Sequence, residues 1–293
     1  MKKNKKLSPN EFIEDLKNQQ KLVESVNKKK KFKFKIGKIS FGKKPIIISG
    51  PCSVEARESL LNFSLKLKKL GVDGIRAGAY KPTTFPIRKP IDGWQEGLKY
   101  RGLEYLEEVR KKTNLPIFSE IMDIKLIDYL SSFIDVFQVG ARNFQNYPLL
   151  DALGKIDKPV MLKRGPWGTI DEILGSVERI LNGGNEKIII CLRGVLGGPS
   201  YRHVFPSIRW FPDIMMIPAL REFTNIPILY DPSHATGYSN FVEPISKAAI
   251  AAGADGLLIE SHPNPSKSIS DKDQAINLKQ LESIIKFSKK YEK

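Results

Sequence analysis

The chain has 293 residues, of which 41% are hydrophobic and 27% charged, and only two are cysteine. That balance excludes a mainly disordered or fibrous chain and a disulfide scaffold, and the length suits one large domain or two small ones. No apolar run reaches the roughly 18–20 residues of a membrane-spanning helix, and a net charge of +16 favours anionic partners.

The excess charge is concentrated at the start. Residues 1–44 hold 15 lysines and four acids, a net +11, which leaves only +5 for the other 249 residues. The opening MKKNKKLSPNEFIEDL is basic, has no apolar stretch and carries acids. Neither a secretory leader nor a transit peptide is expected, and a reducing cytoplasm is the expected compartment. A tail of this kind can hold nucleic acid or anionic lipid by counterion release. Without a zinc-finger spacing or an aromatic RNA-binding motif, residues 1–31 read instead as a solvated, partly helical extension: a lone helix from residue 9, then a lysine tract.

Residues 32–42, FKFKIGKISFG, alternate around a glycine and predict a small hairpin that plugs the bottom of the fold. From Pro45 onward short β-branched runs alternate with helix-period segments. The predicted strands are PIIISGPC (45–52), DGIRAGAY (73–80), PIFSEIM (116–122), DVFQVGAR (135–142), PVMLKRG (159–165), KIIICLRG (187–194), PILYDPSH (227–234) and DGLLIESH (255–262). Stretches such as EARESLLNFSLKLKKLG and TIDEILGSVERILNGG repeat apolar residues every three or four positions and end in glycine, a common helix stop. A strand–helix unit repeated eight times over about 245 residues predicts a (β/α)8 TIM barrel, with residues 32–293 as the catalytic domain. An open doubly wound sheet is the rival. It usually has fewer strands and a glycine-rich turn after the first, which is missing here.

In such a barrel the chemistry sits where strands finish. Those ends carry Cys52, Arg76, Lys81, Glu120, Arg142, Lys163, Arg193, His234 and Glu260. A core strand should not end in a charge unless that charge meets solvent or ligand, because an isolated buried charge is costly. Arg76, Arg142, Lys163, Arg164 and Arg193 form a set of fixed cations suited to the oxygens of phosphate and carboxylate. Cys52, His234 and Glu260, with Asp271 beyond the eighth strand, offer a thiolate, an imidazole and two carboxylates. That mixture suits a divalent transition metal with an open position: manganese, iron, cobalt or zinc. The bland alternatives are a small core hydrophobe for Cys52, a backbone-satisfied polar residue for His234 and an N-cap of the last helix for Asp271. From the residues alone, carbon–carbon bond formation, isomerisation and phosphoryl chemistry at a carbonyl all remain open.

The strings themselves are more specific. GPCSVE (50–55), GIRAGAYKP (74–82), QVGARNFQN (138–146), KPVMLKRG (158–165), DPSHATG (231–237) and IESHPNPSKSISD (259–271) together resemble the 3-deoxy-D-arabino-heptulosonate 7-phosphate (DAHP) synthases. The nearest likeness is to the shorter type I beta branch of the phosphoenolpyruvate-dependent heptulosonate and octulosonate phosphate synthases, over roughly residues 34–285. The resemblance implies a metal-dependent condensation of phosphoenolpyruvate with an aldose phosphate, usually erythrose 4-phosphate, as the first step of the shikimate pathway. It implies that Arg76, Arg142, Lys163 and Arg193 hold phosphoenolpyruvate, with Arg164 beside them and Glu120 near the attacked carbon. By the same resemblance Lys81 lies between the substrates, Thr83 and Thr84 flank the aldose, and Cys52, His234, Glu260 and Asp271 ligate the metal. Lys81, Glu120, Lys163 and His234 are then the catalytic groups, and a homodimer or homotetramer is the expected assembly.

Two loops depart from the pattern. After Lys81–Pro82 the family carries an arginine for the aldose phosphate; here the run is Thr83–Thr84–Phe85–Pro86, with Arg88 and Lys89 downstream. After the sixth strand, VLGGPSYRHVFPSIRWFPD adds Arg202, His203, Arg209 and Trp210. Both changes face the aldehyde half of the expected site. The same condensation on another aldose, in polysaccharide or secondary metabolism, is therefore carried as an alternative, as is a non-catalytic barrel with a nucleic-acid-binding tail. The 44 residues ahead of the barrel are too few for the regulatory domain of some relatives, so no dedicated feedback inhibition is expected.

Overall fold

A computed structural model describes residues 8–19, 23, 34–82, 96–197 and 210–292. Eight parallel strands close into a barrel in sequence order: β1 (Ile46–Gly50), β2 (Gly74–Arg76), β3 (Ile117–Ile121), β4 (Val136–Val139), β5 (Val160–Lys163), β6 (Ile188–Leu192), β7 (Ile228–Tyr230) and β8 (Gly256–Glu260). Each falls inside a predicted run, and β8 pairs with β1 from Ile46↔Gly256 to Gly50↔Glu260 to seal the cylinder. Among the described residues no helix is long and apolar enough to cross a membrane.

Side chains alternate across a strand, and that parity sorts the barrel. Ile46, Ile48, Phe118, Val136, Met161, Ile189, Cys191, Leu229 and Leu258 form one buried cluster inside it. Their strand neighbours Ile47, Ile117, Phe137, Leu162, Ile190, Ile228 and Leu257 belong to a second, larger cluster between sheet and helices. Two positions beyond the inner cluster, the same parity places Arg76, Glu120, Lys163, Arg193 and Glu260 at the mouth.

The two named helical stretches form where their periodicity places them. Arg57–Leu70 stops at Gly71 in the left-handed conformation, and Ile170–Asn182 opens on a reciprocal Thr169–Glu172 capping box. The hairpin is also present. Ile36 and Ile39 pair across a tight turn, are 3% exposed, and join the inner cluster, flanked by Phe34 and Phe41. The bottom of the barrel is thus stoppered by apolar side chains. The lone helix spans Pro9–Gln19. It is less solvated than expected: Leu16 and Val23 are buried in the outer core, and the Val23 amide donates to Glu178 at 3.2 Å. Leu16, with half-buried Ile13 one turn before it, lays this otherwise polar helix on the outer core.

Candidate active site

The loop after β1 brings in the first metal-type donor, Cys52. Gly50 has φ +154, and a Cβ there would lie 2.2 Å from the Arg76 carbonyl oxygen. Only glycine permits that approach, which sets Pro51–Cys52 against the end of β2. The Cys52 thiol, 2% exposed, donates to Asp271 Oδ2 at 3.1 Å and receives Lys81 Nζ at 2.6 Å. Lys81 Nζ also lies 3.3 Å from Asp271.

Cys52, His234, Glu260 and Asp271 each present one donor atom, and these atoms all lie within 4.8 Å of one another. Asp271 is not the cap of the last helix. That helix, Leu278–Ser288, is capped by Asn277 in a box with Gln280, and Asp271 sits earlier at φ +55. His234 occupies the short helix Pro232–Thr236, whose N-cap is Asp231. Its Nδ1 lies 2.7 Å from Asp231 Oδ2 and its Nε2 3.7 Å from Glu260 Oε2. Burial pushes His234 down to about 3; burial alone would raise Asp231, but the neighbouring His234 and Lys163 hold it well below the usual carboxylate range. Burial thus favours the neutral imidazole, with Nδ1 beside the Asp231 carboxylate and Nε2 turned toward Glu260 and the donor cluster. That is the carboxylate–histidine arrangement that orients a metal ligand.

Burial and the neighbouring Asp271 raise Glu260 to about 7, and burial with Glu260 raises Cys52 to about 12. Gln274 donates to Glu260 Oε2 at 2.7 Å, whereas buried Glu260 Oε1 has no hydrogen-bond partner among the described residues. An orphaned carboxylate oxygen in a cluster of soft and hard donors fits a divalent ion.

Cations line the opposite wall. Arg76 is 5% exposed with Nη1 3.5 Å from Glu260 Oε2; burial would lower it, but the acidic neighbours Cys52, Glu260 and Asp231 hold it raised. Lys163 reaches Asp231 Oδ2 at 2.5 Å, and Arg193 lies over the Trp210 ring, 5.5 Å from its centroid. Arg142, in the turn after β4, is exposed. Glu120 accepts from Gln138 at 3.4 Å, and its Oε1 occupies the space that a Cβ on Gly140 would take, 2.1 Å away. Several fixed cations in one mouth call for a ligand with more than one negative charge.

Arg164 departs from expectation. It is fully buried on the outer side of the barrel wall, donating to the Gly168 and Gly194 carbonyls and paired with Asp213. Asp213 also accepts from the Gly194 amide at 2.9 Å and the Tyr230 hydroxyl at 3.2 Å. Arg164 therefore braces the loops after β5 and β6 and does not face a ligand, because parity turns it away when Lys163 points in. Thr83, Thr84, Arg88, Lys89, Arg202, His203 and Arg209 lie outside the described residues. The sequence reading missed Asp231, Gln138 and Gln274. Asp231 had a usable signal, since it follows the inward-facing Leu229 by two positions.

A cluster of metal-type donors confronting buried cations at the C-terminal mouth of a (β/α)8 barrel defines a metal-assisted enzyme with a multiply anionic substrate. The DAHP synthetase I family profile matches residues 15–293, and the chain belongs to that family. It is 41% identical over 244 residues to the phospho-2-dehydro-3-deoxyheptonate aldolase of Thermotoga maritima, covering 83% of this chain and 69% of that protein. The crystal structure of the Thermotoga maritima DAHP synthase superposes with a TM-score of 0.79 at 40% identity, covering 88% of this chain and 71% of that one. A 2-dehydro-3-deoxyphosphooctonate aldolase of Desulfotalea psychrophila is 30% identical over 263 residues, covering 84% and 89%. The chain is an enzyme of this family, whose named relatives are heptulosonate and octulosonate phosphate aldolases.

Proposed function

We propose that the enzyme condenses phosphoenolpyruvate with erythrose 4-phosphate to give 3-deoxy-D-arabino-heptulosonate 7-phosphate and inorganic phosphate. The observation that carries this reading is the approach of Cys52, His234, Glu260 and Asp271 within 4.8 Å beside Lys81 and Arg76. Those four residues would hold a divalent ion (manganese, iron, cobalt or zinc), which when bound supplies Lewis acidity toward the aldehyde oxygen. Arg76, Arg142, Lys163 and Arg193 grip the phosphate and carboxylate of phosphoenolpyruvate. Glu120 lies toward the attacked carbon. The enol carbon bonds to the aldehyde carbon, and Lys81 Nζ gives a proton to the resulting alkoxide oxygen. Water then adds to the carbon bearing the phosphate ester, the bond from that carbon to the ester oxygen breaks, and the same cations hold the departing phosphate.

A second reading keeps the reaction and changes the aldose. Its support is Thr83, which cannot supply the charge that family members direct at the aldose phosphate. Purified protein with phosphoenolpyruvate, Mn2+ and a panel of aldose phosphates tests both. Phosphate release with erythrose 4-phosphate is the expected result, release only with another sugar selects the second reading, and none with any overturns both. The protein is further proposed to work in the cytoplasm as a homodimer or homotetramer, which light scattering on the purified enzyme measures directly.

A further inference from the structure

The ligand Asp271 is delivered in an unusual way. It is a non-glycine residue at φ +55, near the apex of the long loop from β8 back to Ile276. A left-handed backbone is unfavourable outside glycine, somewhat less so for aspartate, and persists only where surrounding contacts fix it. On its C-terminal side those contacts come from the loop itself: the Gln274 amide donates to the Asp271 carbonyl at 3.2 Å, and the Ile276 amide to the Glu260 carbonyl at 3.0 Å. On its N-terminal side the support comes from across the barrel seam. Glu55, three residues past Cys52, accepts the Ile269 amide on Oε1 at 2.9 Å. Its Oε2 lies 3.2 Å from His262 Nε2, and His262 Nδ1 in turn meets the Asn264 carbonyl at 2.6 Å. Ser268 Oγ closes the turn on the Ser270 carbonyl at 2.7 Å.

The carboxylate of Glu55 thus holds the descending limb of the loop at Ile269 and His262, two and nine residues before Asp271, with a longer contact from the Ser268 hydroxyl at 3.4 Å. It touches none of the four donors. Given the metal centre proposed above, on which this inference rests, we propose that Glu55 is a positioning residue. It staples the β8 loop to the β1 loop, so that Asp271 is held in register with Cys52 before any ion arrives. The two loops carrying those ligands come from opposite ends of the chain, and Glu55 ties them together at the level of the β1–β8 pairing. Outer contacts of this kind typically govern metal affinity by about 10–100-fold.

The test is a titration of the metal-free enzyme with Mn2+, counting free ion by its paramagnetic resonance signal. Glu55→Ala should raise the apparent Kd for Mn2+ by about 10–100-fold. The affinity of the metal-free protein for phosphoenolpyruvate should not move, and saturating Mn2+ should restore turnover, an outcome that general loss of structure would not give. Glu55→Gln keeps an oxygen for the Ile269 amide and should bind Mn2+ nearly as the parent does. Equal weakening in both variants would overturn the hydrogen-bond staple, as would parental Mn2+ affinity in Glu55→Ala. If Glu55→Ala does not fold, Glu55→Asp is read in its place, because the shorter arm cannot span both His262 and Ile269. It should bind the ion more weakly than the parent, and parental affinity would again overturn the proposal. Cys52→Ala separates the two levels. If it loses Mn2+ while Glu55→Ala retains it, only the staple fails; if Cys52→Ala binds Mn2+ as the parent does, the metal centre fails and the staple with it.

Discussion

The two ends of this barrel are built from the same strands and opposite chemistry. At the bottom, Ile36 and Ile39 reach in to meet Ile46, Val136 and Leu258. At the top, two or four residues further along each strand, the inward positions are Arg76, Glu120, Lys163, Arg193, Asp231 and Glu260. Apolar contacts there need no partner, so the lower half can be filled by whichever side chains fit. Every charge at the upper half must be answered by another or by a ligand, and the ion pairs Lys163–Asp231 and Arg76–Glu260 answer only part of it. Stability and reactivity are segregated along one axis, as is usual for this architecture.

Substitutions can break that division from either side. Cys52→Ala should abolish turnover while leaving the melting temperature of the metal-free protein close to the parent's, since the thiol is buried but small; assays of phosphate release and a thermal scan check both halves. Lys163→Met should act on both properties. It removes a cation proposed to face the substrate phosphate, for a turnover loss of about 10²–10³-fold, and strands a buried Asp231, costing roughly 3–5 kcal/mol in urea unfolding. At the other end, Ile39→Ala should cost about 2–5 kcal/mol of stability with kcat unchanged; a kcat that fell with it would mean the stopper is felt at the mouth.

The smallest expected effect concerns protons. Glu260 is raised to about 7, mainly by burial, and Cys52 to about 12. Between the ordinary carboxylate value and about 7, the folded metal-free protein holds a proton on Glu260 that the unfolded chain has released. That stabilisation is present in acid and is lost as the pH climbs through 7. Ligation needs both groups deprotonated, so Mn2+ uptake should expel protons and its affinity should rise by about tenfold per pH unit for each proton released. Calorimetry in buffers of different ionisation enthalpy reads the proton count, and a flat affinity between about pH 6 and 8 would contradict the donor set.

Most of the fold was readable because each strand is a short β-branched run and each named helix ends where glycine ends it. The site was readable in part. Cys52, His234 and Glu260 stand at strand ends, where the fold class itself directs attention. Arg164 was misread because its neighbour Lys163 is a mouth residue, and adjacency in a strand means opposite faces. Asp231 was missed because DPSH also reads as a helix cap, which it is, and one carboxylate does both jobs. Glu55 and Gln274 act through a loop some 214 and 14 residues from their partners, and no local pattern records such a contact. The buried Leu16 escaped notice because Leu16 and half-buried Ile13, in a short and mostly polar helix, leave only a faint periodicity.

Asp231 also shows why the two walls of the mouth cannot be costed separately. Its Oδ2 lies 2.5 Å from Lys163 Nζ and 2.7 Å from His234 Nδ1, so a single oxygen answers both a cation of the anion-binding wall and the imidazole of the opposite one. Substitutions at positions 163 and 234 should therefore fail to sum, and a double-mutant cycle between them should return a non-zero interaction energy. The barrel has in effect one shared electrostatic hinge pin, and whatever perturbs either wall is transmitted through that atom to the other.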